Sequence, residues 1–390
     1  MKKLFKTSLL FAAIAFLSFS MTSCGGSNND EKEEADKALK TAIVDQYLNH
    51  TIFPTYTNLA NATDELVAQL KALKKEPTQD KLDKACEIFL NARAWWEKSE
   101  AFLFGAASDF GIDPHIDSWP LDETAFMTLM NNHAMLELLD AEDGDIVAGE
   151  QLGNALLGFH GIEYILFENG AAKDVKSLTD DELIYVVAVS GDLRNRCVQL
   201  EVSWKGSSAS KEHQDLMEEL EFNTTVNSGS NSYGDNMRKS GEAGSTYVTF
   251  AEALAAIIDG CIDISDEVGT SKIGKPHTGE DIHYVESPYS YNSITDFHNN
   301  IISVKNAYMG GNEGERNESN SVHNYMTTID KNIDSEVQSA IENALTKINN
   351  MAAPFVNNIN DPTAGEAMEA CVTLSEKLSN AKTALINYNR

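Results

Sequence analysis

The chain has 390 residues, 42% of them hydrophobic, and its 30 Lys and Arg residues against 60 Asp and Glu give a formal net charge of −30. This length allows two domains or one large one. The acidic balance argues against a nucleic-acid-binding protein, which needs a basic surface. It would concentrate cations around the protein, but the charge alone does not separate a metal-handling protein from an ordinary exported one.

Residues 1–23 have the pattern of a secretory signal peptide: three lysines, then an apolar run shorter than the roughly 20 residues that cross a bilayer. Cys24 follows two small residues and is similar to the acylated cysteine of a bacterial lipobox. We therefore expect a lipid anchor at Cys24, a flexible acidic tether at 24–36, and a location in the cell envelope. The outer membrane is favoured, on its periplasmic face or at the cell surface; the alternative is ordinary secretory cleavage that leaves a free thiol.

Helical periodicity dominates the rest of the chain and predicts an all-α fold. A capping box at Thr179 and Glu182 predicts the start of a long helix that runs to Trp204. A polar stretch after Lys205 divides the chain into two packed helical bundles of about four helices each, at 37–205 and 206–390. A faint similarity between the halves is consistent with a diverged duplication. Four further cysteines are predicted to be buried free thiols: Cys86, Cys197, Cys261 and Cys371.

The most unusual segment is an apolar helical stretch that contains His160 and Glu163, three residues apart and therefore on one helix face. A buried ionised glutamate needs a compensating partner. That partner is either a metal ion bound by both side chains or a hydrogen bond from a neutral histidine, and the spacing alone leaves both open. Gly153, Gly158 and Gly161 disfavour a helix, so we expect them to permit close approach of a backbone or ligand.

A second group of polar residues lies upstream. Glu100 falls on an apolar stripe with Trp96 and is predicted to face inward. Glu97, one turn from Arg93, is predicted to form an exposed ion pair of little energetic weight. Asp117 lies in a loop, where an acid is usually a helix cap or solvated, although it is also a candidate metal ligand.

Glu286 and Ser287, which precede a proline and on their own predict the start of the following helix, complete a set of short motifs. In their order and spacing these motifs resemble the imelysin-like family from about Val44 to the C-terminus. They comprise Gly158-x-His160-x-x-Glu163, Trp96-x-x-x-Glu100-Ala101, Trp119-Pro120, Gly191-Asp192-Leu193-Arg194 and Glu286-Ser287-x-Tyr289-Ser290.

The resemblance implies two packed helical bundles with the Gly-x-His-x-x-Glu motif near their junction, export to the envelope, and a link to iron uptake. It also implies metal-ligand roles for His160 and Glu163, with Glu100 as a third ligand and Asp117 as a weaker fourth. Family members often carry a basic and an aromatic residue where this chain has Pro288 and Tyr289. A role that needs a positive charge there does not carry over to this chain.

Three functions follow as hypotheses. The first is an iron-binding lipoprotein that serves an outer-membrane iron transporter, although these ligands suit manganese and zinc as well. The second is a metallopeptidase, a use implied by the family's peptidase name. Helix-based zinc peptidases need two histidines and a glutamate, whereas Tyr164 follows Glu163 here, so a non-enzymatic role is favoured. The third is a metal-free module that binds a small molecule or a protein.

Overall fold

The computed structural model describes residues 28–389 and confirms the all-α prediction. Within these residues the strands are β1 (Phe167–Glu168) and β2 (Ala171–Ala172), which pair as a two-stranded antiparallel hairpin. The helices are α1 (Asn28–Tyr47), α2 (Phe53–Lys75), α3 (Gln79–Glu97), α4 (Ala106–Asp109), α5 (Ile112–Ile116), α6 (Glu123–Met130), α7 (His133–Leu139), α8 (Gly144–Gln151), α9 (Gly158–Leu166), α10 (Asp180–Lys205), α11 (Lys211–Glu219), α12 (Tyr233–Arg238), α13 (Phe250–Glu267), α14 (Gly274–Thr278), α15 (Ser293–Met309), α16 (Val322–Ile329), α17 (Lys331–Asn349) and α18 (Pro362–Tyr388).

Side-chain caps fix where the long helices begin. At the start of α10, Thr179 Oγ1 accepts from the Glu182 amide, and the Glu182 carboxylate accepts from the Thr179 amide, so the predicted capping box is confirmed. Asp330 caps α17 in a similar way, because its carboxylate accepts from the amides of Asn332 and Ile333. Such caps satisfy backbone donors that a helix leaves unpaired at its first turn.

The long helices form two packed groups. In the first, α2 packs against α3 and α10, while α9 lies against α3 and α10. In the second, α13, α15, α17 and α18 pack on one another, and α1 lies against α13. One hydrophobic core continues through both groups. They meet where α15 contacts α3 and where α13 contacts the 3-10 turn Glu100–Phe102.

Gly260 on α13 permits a close approach between the two groups. A Cβ added there would lie 2.1 Å from the carbonyl oxygen of Ala101, so a side chain at this position would push the two groups apart. The contact fixes the turn Glu100–Phe102 against α13, and this turn carries one of the predicted site residues.

The predicted signal peptide at 1–23 and the lipidated Cys24 lie outside the described residues. The predicted tether at 24–36 overlaps α1, which is helical from Asn28 onward. This part of the sequence is rich in Glu, Lys and Ala, which favour helix, and Asp36 forms an i,i+4 ion pair of 2.5 Å with Lys40. Over the described residues, none of the helices combines the length and apolarity that crossing a bilayer requires.

Other sequence predictions have mixed outcomes. Within residues 28–389 the four cysteines are all buried and free, as predicted.

The predicted helix around His160 is shorter than expected, because α8 ends at Gln151 and α9 begins only at Gly158. Gly161 does permit a close approach, since a Cβ there would lie 2.3 Å from the Tyr185 hydroxyl. No other backbone approaches Gly153, because a Cβ there would meet no described atom within 4 Å.

Candidate functional site

Charged side chains are buried together where the two groups of helices meet. They come from α3, the turn after it, the end of α5, α9, the π-helical turn Val268–Ile273, the segment before α15, and α15 itself. We call this set the buried ionic cluster, and each member is at most 6% exposed: Arg93, Glu97, Glu100, Asp117, His160, Glu163, Lys272, Glu286 and Asp296. Charges removed from water at this depth are stable only when other charges or hydrogen bonds compensate them.

Gly158 explains how His160 and Asp117 come together. It begins α9 with a φ of 67°, and a Cβ there would lie 1.8 Å from the carbonyl oxygen of Ile116. Only glycine allows this backbone-on-backbone contact at low energetic cost. The residue after Ile116 is Asp117, whose Oδ1 atom lies 3.1 Å from Nε2 of His160. The predicted close approach at Gly158 is therefore confirmed, and it aligns two candidate ligands.

Glu163 supports His160 from the other side of the ring. Its Oε2 atom lies 3.4 Å from Nδ1 of His160. Its Oε1 atom accepts hydrogen bonds from the amides of Tyr289 (3.1 Å) and Ser290 (2.8 Å) and from the Ser290 hydroxyl (2.7 Å). Because protein donors already engage this carboxylate, it holds the orientation of the imidazole and leaves Nε2 directed toward the centre of the cluster.

Two sets of potential ligand atoms converge in the cluster. One atom each from Asp117, His160 and Glu286 lie within 4.8 Å of one another, and so do atoms from Glu97, Glu100 and Asp117. Asp117 belongs to both sets. Of the four predicted ligands, the structure places Asp117 and His160 in one set, Glu100 in the adjacent set, and Glu163 behind His160.

Arg93 is a buried cation, although the sequence predicts an exposed one. Its guanidinium pairs with Asp117, with Glu97 at 2.5 Å, and with Glu286 at 2.6 Å. The prediction that Arg93 and Glu97 form an exposed ion pair is therefore wrong, because both side chains are fully buried. The signal was present in the sequence: Arg93 lies one turn before the buried Trp96 on the same helix face.

Lys272 is a second buried cation, and the local sequence pattern does not distinguish it from an exposed lysine. It lies in the π-helical turn Val268–Ile273, a local departure from α-helix that often marks functional sites. Its Nζ atom lies 3.0 Å from Oε1 of Glu286, 3.7 Å from Glu100 and 3.8 Å from Glu97.

Glu286 and Ser287 do not begin a helix, so that prediction is wrong. The following helix, α15, begins at Ser293. The segment instead turns inward: Glu286 is fully buried against the two cations, and Ser287 adopts a φ of 51° while its hydroxyl donates to Oδ2 of Asp296 at 2.5 Å. A left-handed conformation at a serine is energetically unfavourable, and its burial contacts must maintain it.

The two tryptophans of the motifs contact the cluster directly. Trp96 Nε1 donates to Oδ2 of Asp117 at 2.7 Å. The centroid of the Trp119 ring lies 5.7 Å from the centroid of the His160 ring and 5.1 Å from Nζ of Lys272. Trp96 thus orients a candidate ligand, and Trp119 covers the cluster on its side.

The cluster has more acids than bases: six carboxyl groups face the two permanent cations Arg93 and Lys272. Burial raises the pKa values of Glu97 and Glu100 well above their usual range. Burial also favours protonation of Asp117, but Arg93 and His160 hold the pKa of that carboxyl well below its usual range. Without an added cation, protons on some of the carboxyl groups compensate the excess negative charge.

His160 is charged in this arrangement. Burial lowers its pKa, but the carboxylates of Asp117 and Glu163 outweigh that effect and raise the pKa to about 9. A metal ion that binds Nε2 must displace this proton.

Comparison with known proteins identifies the family to which this site belongs. Residues 52–381, which include the whole buried ionic cluster, match the family model for imelysin, a peptidase-named family. The chain belongs to the imelysin family.

The chain is also similar in sequence or fold to individual proteins. The chain is 25% identical over 264 residues to the iron-regulated protein A of Synechococcus elongatus, a match covering 68% of the chain and 63% of that relative's length. A candidate iron-regulated protein A precursor from Parabacteroides distasonis is 27% identical, with a TM-score of 0.72 over 90% of this chain and 95% of the other. An imelysin-like protein from Psychrobacter arcticum, 12% identical with a TM-score of 0.59 over 87% and 93% of the chains, shares the fold.

The ligand sets of this imelysin differ from those of helix-based zinc peptidases. Those enzymes use two histidines and a separate general base. Among the described residues, the sets of converging ligand atoms contain a single histidine, His160, together with carboxylates. His115, the histidine closest to Asp117 in sequence, pairs instead with Asp192 at 2.8 Å.

Proposed function

We propose that this imelysin binds an iron ion as cargo at Asp117, His160 and Glu286. One observation carries the proposal. Two buried atoms of these residues, His160 Nε2 and Glu286 Oε2, find no hydrogen-bond partner within the described part of the chain. A buried polar atom without a partner typically costs about 1–3 kcal/mol, so a cation that displaces the Nε2 proton and binds both atoms would stabilise the site.

The charge of the site supports a cation as that group. Six carboxyl groups face Arg93, Lys272 and the protonated His160, which leaves an excess of three negative charges when every acid is ionised. A divalent or trivalent ion would replace the protons that otherwise reduce this excess. Glu163 would hold His160 through Nδ1. Arg93 and Lys272 would compensate the negative charge of the carboxylates that the metal does not neutralise.

Iron is favoured among the metals that suit carboxylate and imidazole ligands. These donor atoms alone also fit manganese and zinc. The choice of iron draws on two relatives that are named as iron-regulated proteins. We further propose a role in iron uptake at the cell envelope, with the protein anchored through Cys24 and supplying an outer-membrane iron transporter.

Metal content of the purified domain tests the proposal. Protein comprising residues 25–390, prepared without a metal-binding tag, is loaded separately with ferrous iron, ferric iron, manganese and zinc, desalted, and analysed by elemental mass spectrometry. His160→Gln and Glu286→Gln are compared with His213→Gln. His213 is a matched control because it is also buried between two carboxylates, Glu201 and Asp64, in a separate cluster.

We expect about one iron per chain in the wild type and in His213→Gln, and loss of metal in the two site variants. Circular dichroism confirms that each variant is folded. Retention of zinc but not iron would redirect the assignment toward zinc chemistry. If the folded wild type retains none of the four metals, the proposal fails, and the cluster is the ionic core of a metal-free binding module.

A further inference from the structure

A cleft of about 480 Å³ opens on the buried ionic cluster from one side. It lies between α5 and α13, and four carboxylates line it: Glu100, Asp113, Asp263 and Glu267. Gly260 on α13 also lines it, beside its close contact with the Ala101 carbonyl. We call this space the acidic cleft.

Glu100 connects the acidic cleft to the interior. It is 94% buried and yet lines the cleft. None of the described side chains or amides donates a hydrogen bond to its carboxylate, and the nearest cation, Nζ of Lys272, lies 3.7 Å away. A nearly buried carboxylate without a hydrogen bond, at the inner end of an acidic cleft, is suited to accept a cation from it.

The inner side of Glu100 faces the proposed metal site. Its carboxylate belongs to the set that converges within 4.8 Å with Glu97 and Asp117, and Asp117 also belongs to the set with His160 and Glu286. Carboxylates therefore form a continuous series from the cleft to the imidazole. On another side of the cluster the Trp119 ring lies over Lys272 and beside Tyr284, which obstructs access there.

We propose that the acidic cleft is the entrance through which metal cations reach the buried site, and that Glu100 transfers them from the cleft to Asp117. The inference rests on the proposed metal-binding function and adds a route to it. Clefts lined by charge of one sign raise the local concentration of counter-ions and can increase association rates by about 10–10³-fold. An arriving cation competes with Lys272 for Glu100. This carboxylate therefore binds the cation between the exposed cleft and the buried site.

The rate of metal association tests the route separately from affinity. Because Trp96 donates to Asp117, metal binding there should quench tryptophan fluorescence, which stopped-flow mixing with Fe²⁺ under anaerobic conditions can follow. The test variant is the double substitution Asp263→Asn with Glu267→Gln, and Glu100→Gln is a second variant. The control, Glu65→Gln with Glu137→Gln, removes the same charge from two exposed carboxylates outside the cleft.

We expect the cleft double variant to bind the wild-type amount of iron with an association rate reduced roughly tenfold at low ionic strength, and less in high salt because of screening. The control pair should stay within about twofold of the wild type, and Glu100→Gln should be slow as well. Wild-type rates in the cleft variants would overturn the entrance role while leaving the metal site intact. Loss of bound iron in the Asp263→Asn/Glu267→Gln variant would also overturn it, since these residues would then be ligands. A wild type that binds no metal would show failure of the proposed function itself, and the route with it.

Discussion

His160 presents Nε2 to Oδ1 of Asp117 at 3.1 Å, yet the direction of approach does not satisfy hydrogen-bond geometry. The distance brings the two atoms close enough to share a ligand, while the poor alignment leaves the Nε2 proton of the charged imidazole without a protein acceptor. On the opposite side of the ring, Nδ1 faces a carboxylate that backbone amides hold in place. The imidazole is thus fixed on one side and available on the other, as metal-binding histidines usually are.

Glu163 should therefore act as a positioning residue. Glu163→Gln retains an oxygen that can accept from Tyr289 and Ser290 but loses the charge that orients His160. We expect iron affinity to fall by about 10–100-fold while the protein still binds one ion at saturation. Glu163→Ala should in addition lower the free energy of unfolding by roughly 1–3 kcal/mol, because the amides of the 289–290 segment lose their acceptor.

Equilibrium titration with Fe²⁺ and urea denaturation measure these two effects. Glu168→Gln, an exposed glutamate on β1, is the matched control and should change neither. If Glu163→Gln abolishes binding as completely as His160→Gln does, Glu163 is a ligand and the positioning role is wrong.

Gly158 should be intolerant of a side chain. Gly158→Ala places a Cβ against the Ile116 carbonyl, at a φ of 67° that alanine disfavours. We expect the free energy of unfolding to fall by about 2–4 kcal/mol and iron binding to weaken, because Asp117 and His160 lose their alignment.

Gly153→Ala is a nearby control with the opposite expectation. Its backbone is extended at a φ of −76°, and a Cβ would meet no atom of residues 28–389 within 4 Å. Its stability should stay within about 0.5 kcal/mol of the wild type. Equal losses of stability for the two substitutions in thermal denaturation would contradict the contact that we assign to Gly158.

The sequence predicted those features of the site that depend on local periodicity. His160 and Glu163 share a helix face, and both are buried as the apolar neighbours indicated. The inward orientation of Glu100 followed from the same stripe argument. These predictions succeeded because a helix of 3.6 residues per turn fixes which side chains share a face.

The sequence could not predict which distant segments converge on that face. Glu286 contacts Arg93 across 193 residues of sequence, through a segment that is neither helix nor strand. Its role depends on tertiary packing, which local spacing does not encode. Glu97 was misplaced for a related reason: an i,i+4 pair with arginine is usually a surface feature, but tertiary packing, including that of α15 against α3, buries this pair.

Arg93 should be essential to the stability of the cluster. Arg93→Met keeps much of the side-chain volume but leaves Asp117, Glu97 and Glu286 without their shared cation. Removal of one partner from a buried ionic network typically costs about 3–5 kcal/mol. We expect a loss of this size in urea denaturation at pH 7.

A double-mutant cycle with Glu97→Gln distinguishes this effect from loss of packing. The double variant should recover part of the loss, because one uncompensated carboxylate is removed. Lys211→Met, at a lysine whose side chain is 80% exposed, should cost less than about 0.5 kcal/mol despite its ion pair with Asp215. A loss below about 1 kcal/mol for Arg93→Met would contradict this prediction. It would show that protonation of the carboxyl groups replaces the Arg93 cation at little cost in free energy.

His213 should make stability depend on pH in a defined range. Hydrogen bonds to Asp64 and Glu201 raise the pKa of this buried histidine to about 9, against about 6.5 in the unfolded chain. Because the folded state binds the proton more tightly, the stabilisation is fully present below about pH 6.5, declines as pH rises, and is lost above about pH 9. The shift corresponds to at most about 3 kcal/mol.

Urea denaturation of the wild type and His213→Gln at intervals from pH 6 to pH 10 measures this contribution as a difference. Subtraction of the two curves removes titrations common to both proteins, including that of His160. We expect the stability advantage of the wild type to shrink across this interval, whereas His133→Gln, at an exposed histidine on α7, should give a difference independent of pH. A constant advantage of wild type over His213→Gln would mean that the histidine stabilises the fold by packing alone, without linkage to its charge.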